Sequence, residues 1–424
     1  GGVAEAQRGA GMPAVAVIGA QWGDEAKGKV VHHLCRTARM CVRFNGGANA
    51  GHTVEDGRGT ARLHLVPSGA LHPRCQGVVG HGVALDPWAL ERELGELQAQ
   101  RRPAPDLLLS ERAHLVLPFH RLREELSGAA DRIGTTRRGI GPCYEDRVAR
   151  RGLRLADLAD EKMVLDHLTE CAQRAGGGPD PKEVWGELLR FRERFADRIG
   201  DAQRAIATAL DGGSDVVFEG AQGTLLDLDL GTYPCVTSST TTVHGIGWGT
   251  GVRVNLARVV GVMKAYTTRV GEGPFPTEEL GAVGDRLREG GGEYGATTGR
   301  PRRCGWLDLV ALRHAHRVNG FTELALTKLD VLSGLHEIKV AVAYTIAGQG
   351  GAAFPARVED LARAEPVYEV LPGWGEDIAG ARDEEELPSA ARGLVRFVEM
   401  ELGVPVTLIG TGPGEQAMIE RGSK

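Results

Sequence analysis

No stretch of the sequence approaches the ~20 consecutive apolar residues that a bilayer-crossing helix needs, so no membrane span is expected. Cysteine is sparse and scattered: Cys35, Cys41, Cys75, Cys143, Cys171, Cys235 and Cys304 are odd in number and contain no C-x-x-C pair. The pattern predicts neither a disulfide framework nor a zinc knuckle; it fits reduced thiols in a cytoplasmic protein. An excess of basic charge is also missing. The formal net charge is -6, the wrong sign for a dedicated nucleic-acid binder, so no nucleic-acid partner is expected. Residues 1–12 include Glu5 and Arg8 but no apolar h-region, which argues against a secretion signal, and they read as a disordered leader. Repeats at solenoid periods are absent as well.

What is present is a globular composition, 42% hydrophobic and 25% charged over 424 residues, with ample material for a core. Apolar β-rich runs alternate with helical patterns, which predicts an α/β fold with a central, mainly parallel sheet flanked by helices on both faces. Strands are expected at Ala14–Ile18, Cys41–Phe44, Gly77–Gly80, Leu107–Ser110, Val216–Glu219, Val259–Tyr266, Glu323–Thr327 and Val404–Ile409. Helices are expected at Gly28–Arg36, Pro87–Gln100, Glu161–Ala175, Pro181–Leu210, Leu307–Val318 and Pro388–Leu402. Residues 13–424 are read as a single large α/β domain, with a charged helical lobe inserted at about 155–212.

The segment Ala14 to Lys29 runs from a buried strand through a glycine-bearing turn into a helix start, an order that offers free backbone N–H groups to a phosphate. Gly23, Gly28 and Lys29 satisfy the Gly-x-x-x-x-Gly-Lys spacing of a P-loop, yet Val30 stands where such a loop has Ser or Thr for Mg²⁺. A metal must therefore find another ligand. Asp24, inside the loop, is placed to coordinate Mg²⁺ or to act as a base.

Gly19 to Lys29 resembles the N-terminal loop of adenylosuccinate synthetases, and further matches follow in order along nearly the whole chain. They include Asn45–Thr53, Ile133–Pro142, Tyr144–Arg151, Phe218–Leu226, Gly273–Glu278, Gly295–Arg300, Thr327–Asp330 and Tyr368–Trp374. The resemblance implies a homodimeric, Mg²⁺-dependent ligase of purine biosynthesis that converts GTP, IMP and L-aspartate to GDP, phosphate and adenylosuccinate through a 6-phosphoryl intermediate. Phosphorylating the 6-oxygen turns a poor leaving group into a good one. By resemblance Asp24 is the base that removes the N1 proton, His52 the acid that stabilises the transferring phosphoryl group, and Gln222 a third catalytic residue. Asp24 and the Gly51 carbonyl are the implied metal ligands. GTP is expected to meet Glu25, Lys27, Gly28, Lys29, Gly51, His52 and Thr53, together with Lys328, Asp330 and Gly412. IMP is expected to meet Asn49, Thr136, Gln222, Thr237 and Arg302, with Arg150 reaching the partner subunit's site. Thr297, Thr298 and Arg300 are expected to hold aspartate.

Two of these assignments also have a chemical argument of their own. A carboxylate at Asp330, at the end of an apolar strand, can accept both N1–H and the 2-amino group of guanine, which adenine does not offer. Arg300 and Arg302 present forked cations suited to a dicarboxylate, with Pro301 stiffening the segment between them.

Against the family pattern several positions depart. Ala26 replaces a loop glycine, Ala48 a histidine, His32 an aspartate, His81 an asparagine and Arg137 a glycine, while Val243–Val252 replaces a segment of small residues near the nucleotide. These departures leave two alternatives open: a paralogue acting on a modified inosine-like nucleotide, in which Arg137, His244 and Trp248 reshape the acceptor pocket, and a non-catalytic GTP-binding regulator.

Overall fold

All eight predicted strands form, and all lie in one ten-stranded sheet of the computed structural model, which describes residues 14–128, 134–295, 299–351 and 353–422. The expected leader falls outside the described residues. In chain order the sheet strands are β1 (Ala14–Gly19), β2 (Met40–Arg43), β3 (Gln76–Val79), β4 (Leu107–Ser110), β5 (Ile199–Gly200), β6 (Val216–Glu219), β7 (Arg258–Lys264), β8 (Glu323–Thr327), β9 (Val406–Gly410) and β10 (Met418–Glu420). Their order across the sheet is β10-β9-β8-β7-β1-β6-β2-β3-β4-β5. Every neighbouring pair is parallel except the edge pair β9–β10.

The central strands carry apolar side chains toward both faces because both faces are covered. On one side Ala16, Ile18, Phe218 and Met263 pack with Leu312 of the helix Leu309–Asn319 and with Leu394 and Val398 of Ser389–Leu402. On the other, Val15, Val17, Val217 and Val262 meet Val30 and Val31 of the helix Lys27–Leu34. A second core joins Val79, Leu107 and Leu109 to Val164 and Leu168 of Glu161–Arg174 and to Leu188 and Phe191 of Pro181–Arg194.

The continuous helix expected over Pro181–Leu210 is two helices, Pro181–Arg194 and Ala202–Asp211. Between them Ile199–Gly200 adds the edge strand β5 beside β4. Asp201 restarts the chain as a helix cap, its side chain accepting from the Arg204 N–H at 3.0 Å. Gly200-Asp201 is a start signal that the charged helical pattern overrode. A long antiparallel pair, Leu335–Ile346 with Glu365–Trp374, was not expected: polar residues interrupt the start of the first strand, and the second is mostly exposed or half-buried.

The divergent segment forms a short helix, His244–Thr250, lying on the ends of β2 and β3. Its approach is close: the Gly249 carbonyl accepts from the Gly82 N–H at 2.8 Å, and a Cβ on Gly249 would fall 1.9 Å from the Phe44 carbonyl oxygen. Gly247 faces outward, with the nearest obstacle to a Cβ at 3.7 Å. Gly249→Ala is therefore expected to destabilise the protein by about 1–3 kcal/mol or more. Gly247→Ala is expected to be neutral or to stabilise by up to about 1 kcal/mol, as a mid-helix alanine. Denaturant titration of the two variants checks this, and equal midpoints would show that the helix does not sit as described.

Candidate active site

β7, β1, β6 and β2 are adjacent in the sheet, so the loops leaving their C-terminal ends converge, and open α/β sheets bind ligands in that crevice. Cross-links fix these loops relative to one another. Gln21 donates to the Tyr266 carbonyl at 3.0 Å and accepts from the Lys264 N–H at 2.9 Å, which ties the phosphate loop to the end of β7. Asn45 donates to the Ala221 carbonyl at 3.3 Å and accepts from the Ala221 N–H at 2.9 Å, which ties the loop after β2 to the loop after β6.

Inside the phosphate loop Glu25 has no exposed surface. It accepts from the N–H groups of Gln21 at 3.1 Å and Gly23 at 2.9 Å, and from the Lys27 ammonium. Glu25 thus scaffolds the loop from beneath, holding the buried Lys27 ammonium, and leaves Asp24 to face the cavity. Asp24 has φ 58° and Ala26 φ 65°, both in the left-handed region that costs a non-glycine residue roughly 1–2 kcal/mol. Ala26 keeps the backbone conformation a glycine would take, with the helix Lys27–Leu34 starting directly after it, so the alanine adds strain without unmaking the loop. Gly28 is required for a different reason: a Cβ there would come within 2.9 Å of the His52 Cβ, where the helix rests on His52.

A cavity of about 820 Å³ opens over these loops. Among the expected site residues, Asp24, Lys27, Asn49, Gly51, His52, Thr136, Gln222, Thr237 and Arg302 line it. Several present buried polar atoms without a protein partner: Asn49 Oδ1, His52 Nε2, Arg302 Nε and both amide atoms of Gln222. Unsatisfied buried groups are costly, and this many on one cavity wall is what a site missing its polar ligands would show. Asn49 Nδ2 lies 3.5 Å from Thr237 Oγ1, and Gln222 is held at φ 59°.

His52 is oriented from behind. Its Nδ1 meets the carboxylate of Glu219, the last residue of β6, which also accepts from the N–H of Ser68 at 2.8 Å and from its hydroxyl at 2.6 Å. Burial alone would raise the Glu219 carboxyl, but His52, Arg43 and Ser68 bring it down to about 2. Burial pulls His52 below the usual imidazole range, against the upward pull of Glu219. An anion opposite Nε2 would shift that balance toward the imidazolium.

Arg302, lining the same cavity, is forked between two carboxylates, donating to Glu293 at 2.6 Å and to Asp24 at 3.1 Å. Glu293, fully buried, also binds Lys264 at 3.1 Å and Lys328 at 2.8 Å, and accepts from the Tyr266 hydroxyl. The sequence pointed to neither Glu219 nor Glu293 individually. A carboxylate closing a buried apolar strand is a signal that would have found Glu219; Glu293, after three glycines in a row, offers none.

The remaining expected GTP residues lie off this cavity. Lys29 donates to the Gly412 carbonyl at 2.5 Å and the Ala417 carbonyl at 2.7 Å, and burial lowers its ammonium to about 8. Asp330 has a buried Oδ1 without a partner, and burial raises its carboxyl against the pull of Lys29 and Lys328. Lys328 turns toward Glu293, and Thr53 is exposed on the hairpin strand His52–Asp56. Arg150 is exposed at φ 58° and does not line the cavity. Arg300 lies 3.9 Å from Glu272, while Thr297 and Thr298 fall outside the described residues.

The departures from the family pattern mostly lie elsewhere. Trp248 is stacked under the Arg147 guanidinium at 3.9 Å on the surface, and its carbonyl is 2.9 Å from His81 Nε2. His244 reaches the Val318 carbonyl at 3.2 Å. His32 stacks on His72 with ring centroids 4.0 Å apart. Neither His244, Trp248 nor Arg137 lines the cavity; Ala48 does.

The adenylosuccinate synthetase family pattern matches residues 16–419. The adenylosuccinate synthetase of Halothermothrix orenii is 49% identical over 419 residues, covering 96% of this chain and 98% of the relative. That of Desulforudis audaxviator is 50% identical, covering 96% and 97%. The solved structure of fully ligated adenylosuccinate synthetase from Plasmodium falciparum superimposes with a TM-score of 0.92 at 38% identity, covering 97% of this chain and all of that one. With the phosphate loop, the His52 held by Glu219 and the cavity that His52 lines all in one continuous match, the chain belongs to the adenylosuccinate synthetase family.

Proposed function

We infer that this chain is a GDP-forming carbon–nitrogen ligase of purine biosynthesis that joins L-aspartate to the 6-position of IMP at the expense of GTP. The observation that carries the reading is the set of unsatisfied buried polar atoms, His52 Nε2 and both Gln222 amide atoms above all, on the same cavity wall as Asp24. In the first step the Asp24 carboxylate takes the N1 proton of IMP, the 6-oxygen attacks the γ-phosphorus of GTP, and GDP leaves. His52, held by Glu219, donates from Nε2 to the phosphoryl oxygens as charge builds on them. In the second step the aspartate amine attacks C6, phosphate departs with the 6-oxygen, and the amine loses a proton.

Lys27, Gly28 and Lys29, with Gly51 and Thr53, are assigned to the GTP phosphates, while Lys328, Asp330 and Gly412 are assigned to the guanosine end. Glu25 supports the phosphate contacts from below. Asn49, Thr136, Gln222, Thr237 and Arg302 are assigned to IMP, and Thr297, Thr298 and Arg300 to aspartate. Asp24 and the Gly51 carbonyl, both on the cavity, suit Mg²⁺, which takes one or two protein oxygens and fills its shell with phosphates and water. Bound there, it would neutralise charge on the transferring phosphoryl group. An Arg150 that is exposed and off its own cavity supports a homodimer in which it completes the partner's site. A cytoplasmic enzyme fits seven free cysteines and no helix, among the described residues, long and apolar enough to cross a membrane. Residues 13–424 are taken as one α/β domain bearing the helical lobe at about 155–212.

The two alternatives lose their footing in the structure. The bulky departures that would have reshaped the acceptor pocket do not line it, and Ala26 keeps the left-handed backbone from which the helix Lys27–Leu34 starts.

Phosphate release from GTP that requires both IMP and aspartate is the expected activity; GTP binding without release would overturn it. Asp24→Asn should lower turnover by at least ~10² while leaving GTP affinity within about tenfold, and a variant that keeps most of its activity would remove Asp24 as the base. Asp330→Asn should shift preference toward xanthosine triphosphate, whose 2-oxo group an amide can donate to and a carboxylate repels. Unchanged preference for GTP would take Asp330 out of guanine recognition. Ala26→Gly should raise unfolding free energy by about 0.5–1 kcal/mol with turnover within about threefold, since glycine tolerates the left-handed backbone. A lower denaturation midpoint would contradict the strain.

A further inference from the structure

Arginine and a carboxylate preferentially meet with two parallel N–H···O bonds. Arg302 does not make that pairing with Asp24. One terminal nitrogen donates to Asp24 Oδ1 at 3.1 Å and the other to Glu293 Oε2 at 2.6 Å, so the guanidinium is shared between two carboxylates. The shorter bond goes to the residue that is fully buried, and that residue is itself fixed from three further directions. Lys328 reaches it at 2.8 Å, Lys264 at 3.1 Å, and the Tyr266 hydroxyl closes the set. Lys264 ends β7 and Lys328 follows β8, so the Glu293 carboxylate is anchored to the central sheet, while its backbone carbonyl accepts from the Arg302 N–H at 2.9 Å and holds the two residues side by side.

We propose that Glu293 is a positioning residue for phosphoryl transfer: by taking one nitrogen of Arg302 it prevents the fork from closing on Asp24 and keeps that carboxylate able to accept the N1 proton. A base held in a two-point arginine bridge would have both oxygens committed and would have to break a charge-assisted bond before accepting a proton. Splitting the fork keeps a cation beside Asp24 while the arginine itself engages only one of its oxygens. The geometry of Glu293 serves this directly, since its Oε2 is given to Arg302 and its Oε1 to the two lysines and the tyrosine. The catalytic part of this proposal rests on Asp24 being the base; the structural part, which carboxylate Arg302 pairs with, does not.

Glu293→Gln keeps the shape of the side chain and removes its charge, so Arg302 should turn its second nitrogen to Asp24. A crystal structure of that variant is expected to show both Arg302 nitrogens on the Asp24 carboxylate; a single-point contact retained there overturns the proposal whatever the chain's activity. In turnover, kcat should fall about 10- to 100-fold with KM for GTP and IMP within about threefold, part of the loss that a missing base would cause. Combining it with Arg302→Lys supplies the control, because an ammonium cannot close a two-point bridge. In the Arg302→Lys background Glu293→Gln should cost less than about threefold further, and a full multiplicative loss would mean that Glu293 acts through something other than Arg302. Should the loss of charge beside Lys264 prevent folding, the pair Glu293→Gln with Lys264→Met removes the buried anion and one buried cation together. That pair is expected to show the same two-point bridge and the same fall in kcat. Wild-type protein lacking IMP- and aspartate-dependent phosphate release would overturn the proposed reaction and leave the crystallographic outcome to decide the role of Glu293.

Discussion

A carboxylate cannot be buried without a partner, and this site is organised around three that have no exposed surface, Glu25, Glu219 and Glu293. Removing such a group from water costs several kcal/mol unless charge and hydrogen bonds compensate, so each one fixes its partner in place. Glu25 holds Lys27 and two loop N–H groups, Glu219 holds His52 and Ser68, and Glu293 holds Arg302, Lys328 and Lys264. Asp24, by contrast, is partly exposed in the cavity. The carboxylate expected to exchange a proton is thus the accessible one, and the buried ones position the groups around it.

The parallel sheet makes this arrangement possible. Strands buried on both faces end in polar residues only where a loop or helix terminus can satisfy them, which is the situation at the C-terminal ends of β6, β7 and β8. Glu219, Lys264 and Thr327 are the last residues of their strands, and each reaches across to a neighbouring loop. Thr327 donates to the Glu25 carbonyl at 2.8 Å, joining the end of β8 to the phosphate loop. Left-handed backbone at Asp24, Ala26, Gln222 and Lys328 concentrates strain in the same loops, a cost that the surrounding hydrogen bonds offset.

Much of the fold was legible because its strands are continuous apolar runs, and a run such as Val216–Glu219 has little choice but to be buried. The antiparallel pair Leu335–Ile346 with Glu365–Trp374 was missed because His336, Glu337 and Lys339 interrupt the first strand before its buried Val340, Ala341 and Tyr344, and the second strand is mostly exposed or half-buried. Among site residues, sequence motifs identified those that face the cavity, such as Asp24, Asn49 and His52. They did not single out the supporting carboxylates, since Glu219 lies 167 residues from His52 and nothing local in the sequence connects them. A motif records which side chains touch a ligand; which side chains hold those in place becomes visible only when the chain is folded.

The same distinction accounts for the unusual positions. Trp248, His81 and Arg147 form one mutually packed surface group, the ring stacked under the guanidinium and the tryptophan carbonyl against the histidine. Changes at two of those positions, 81 and 248, are therefore parts of one local rearrangement rather than separate alterations of the nucleotide pocket. Ala48 is the departure that does line the cavity, and replacing a histidine by alanine there removes bulk and a titratable group without adding any recognition element. A new substrate requires new complementary contacts, because specificity is a difference between affinities. Positions 81, 244 and 248 place none in the cavity, so the retained polar wall of Asn49, His52, Gln222 and Arg302 defines what the site can accept.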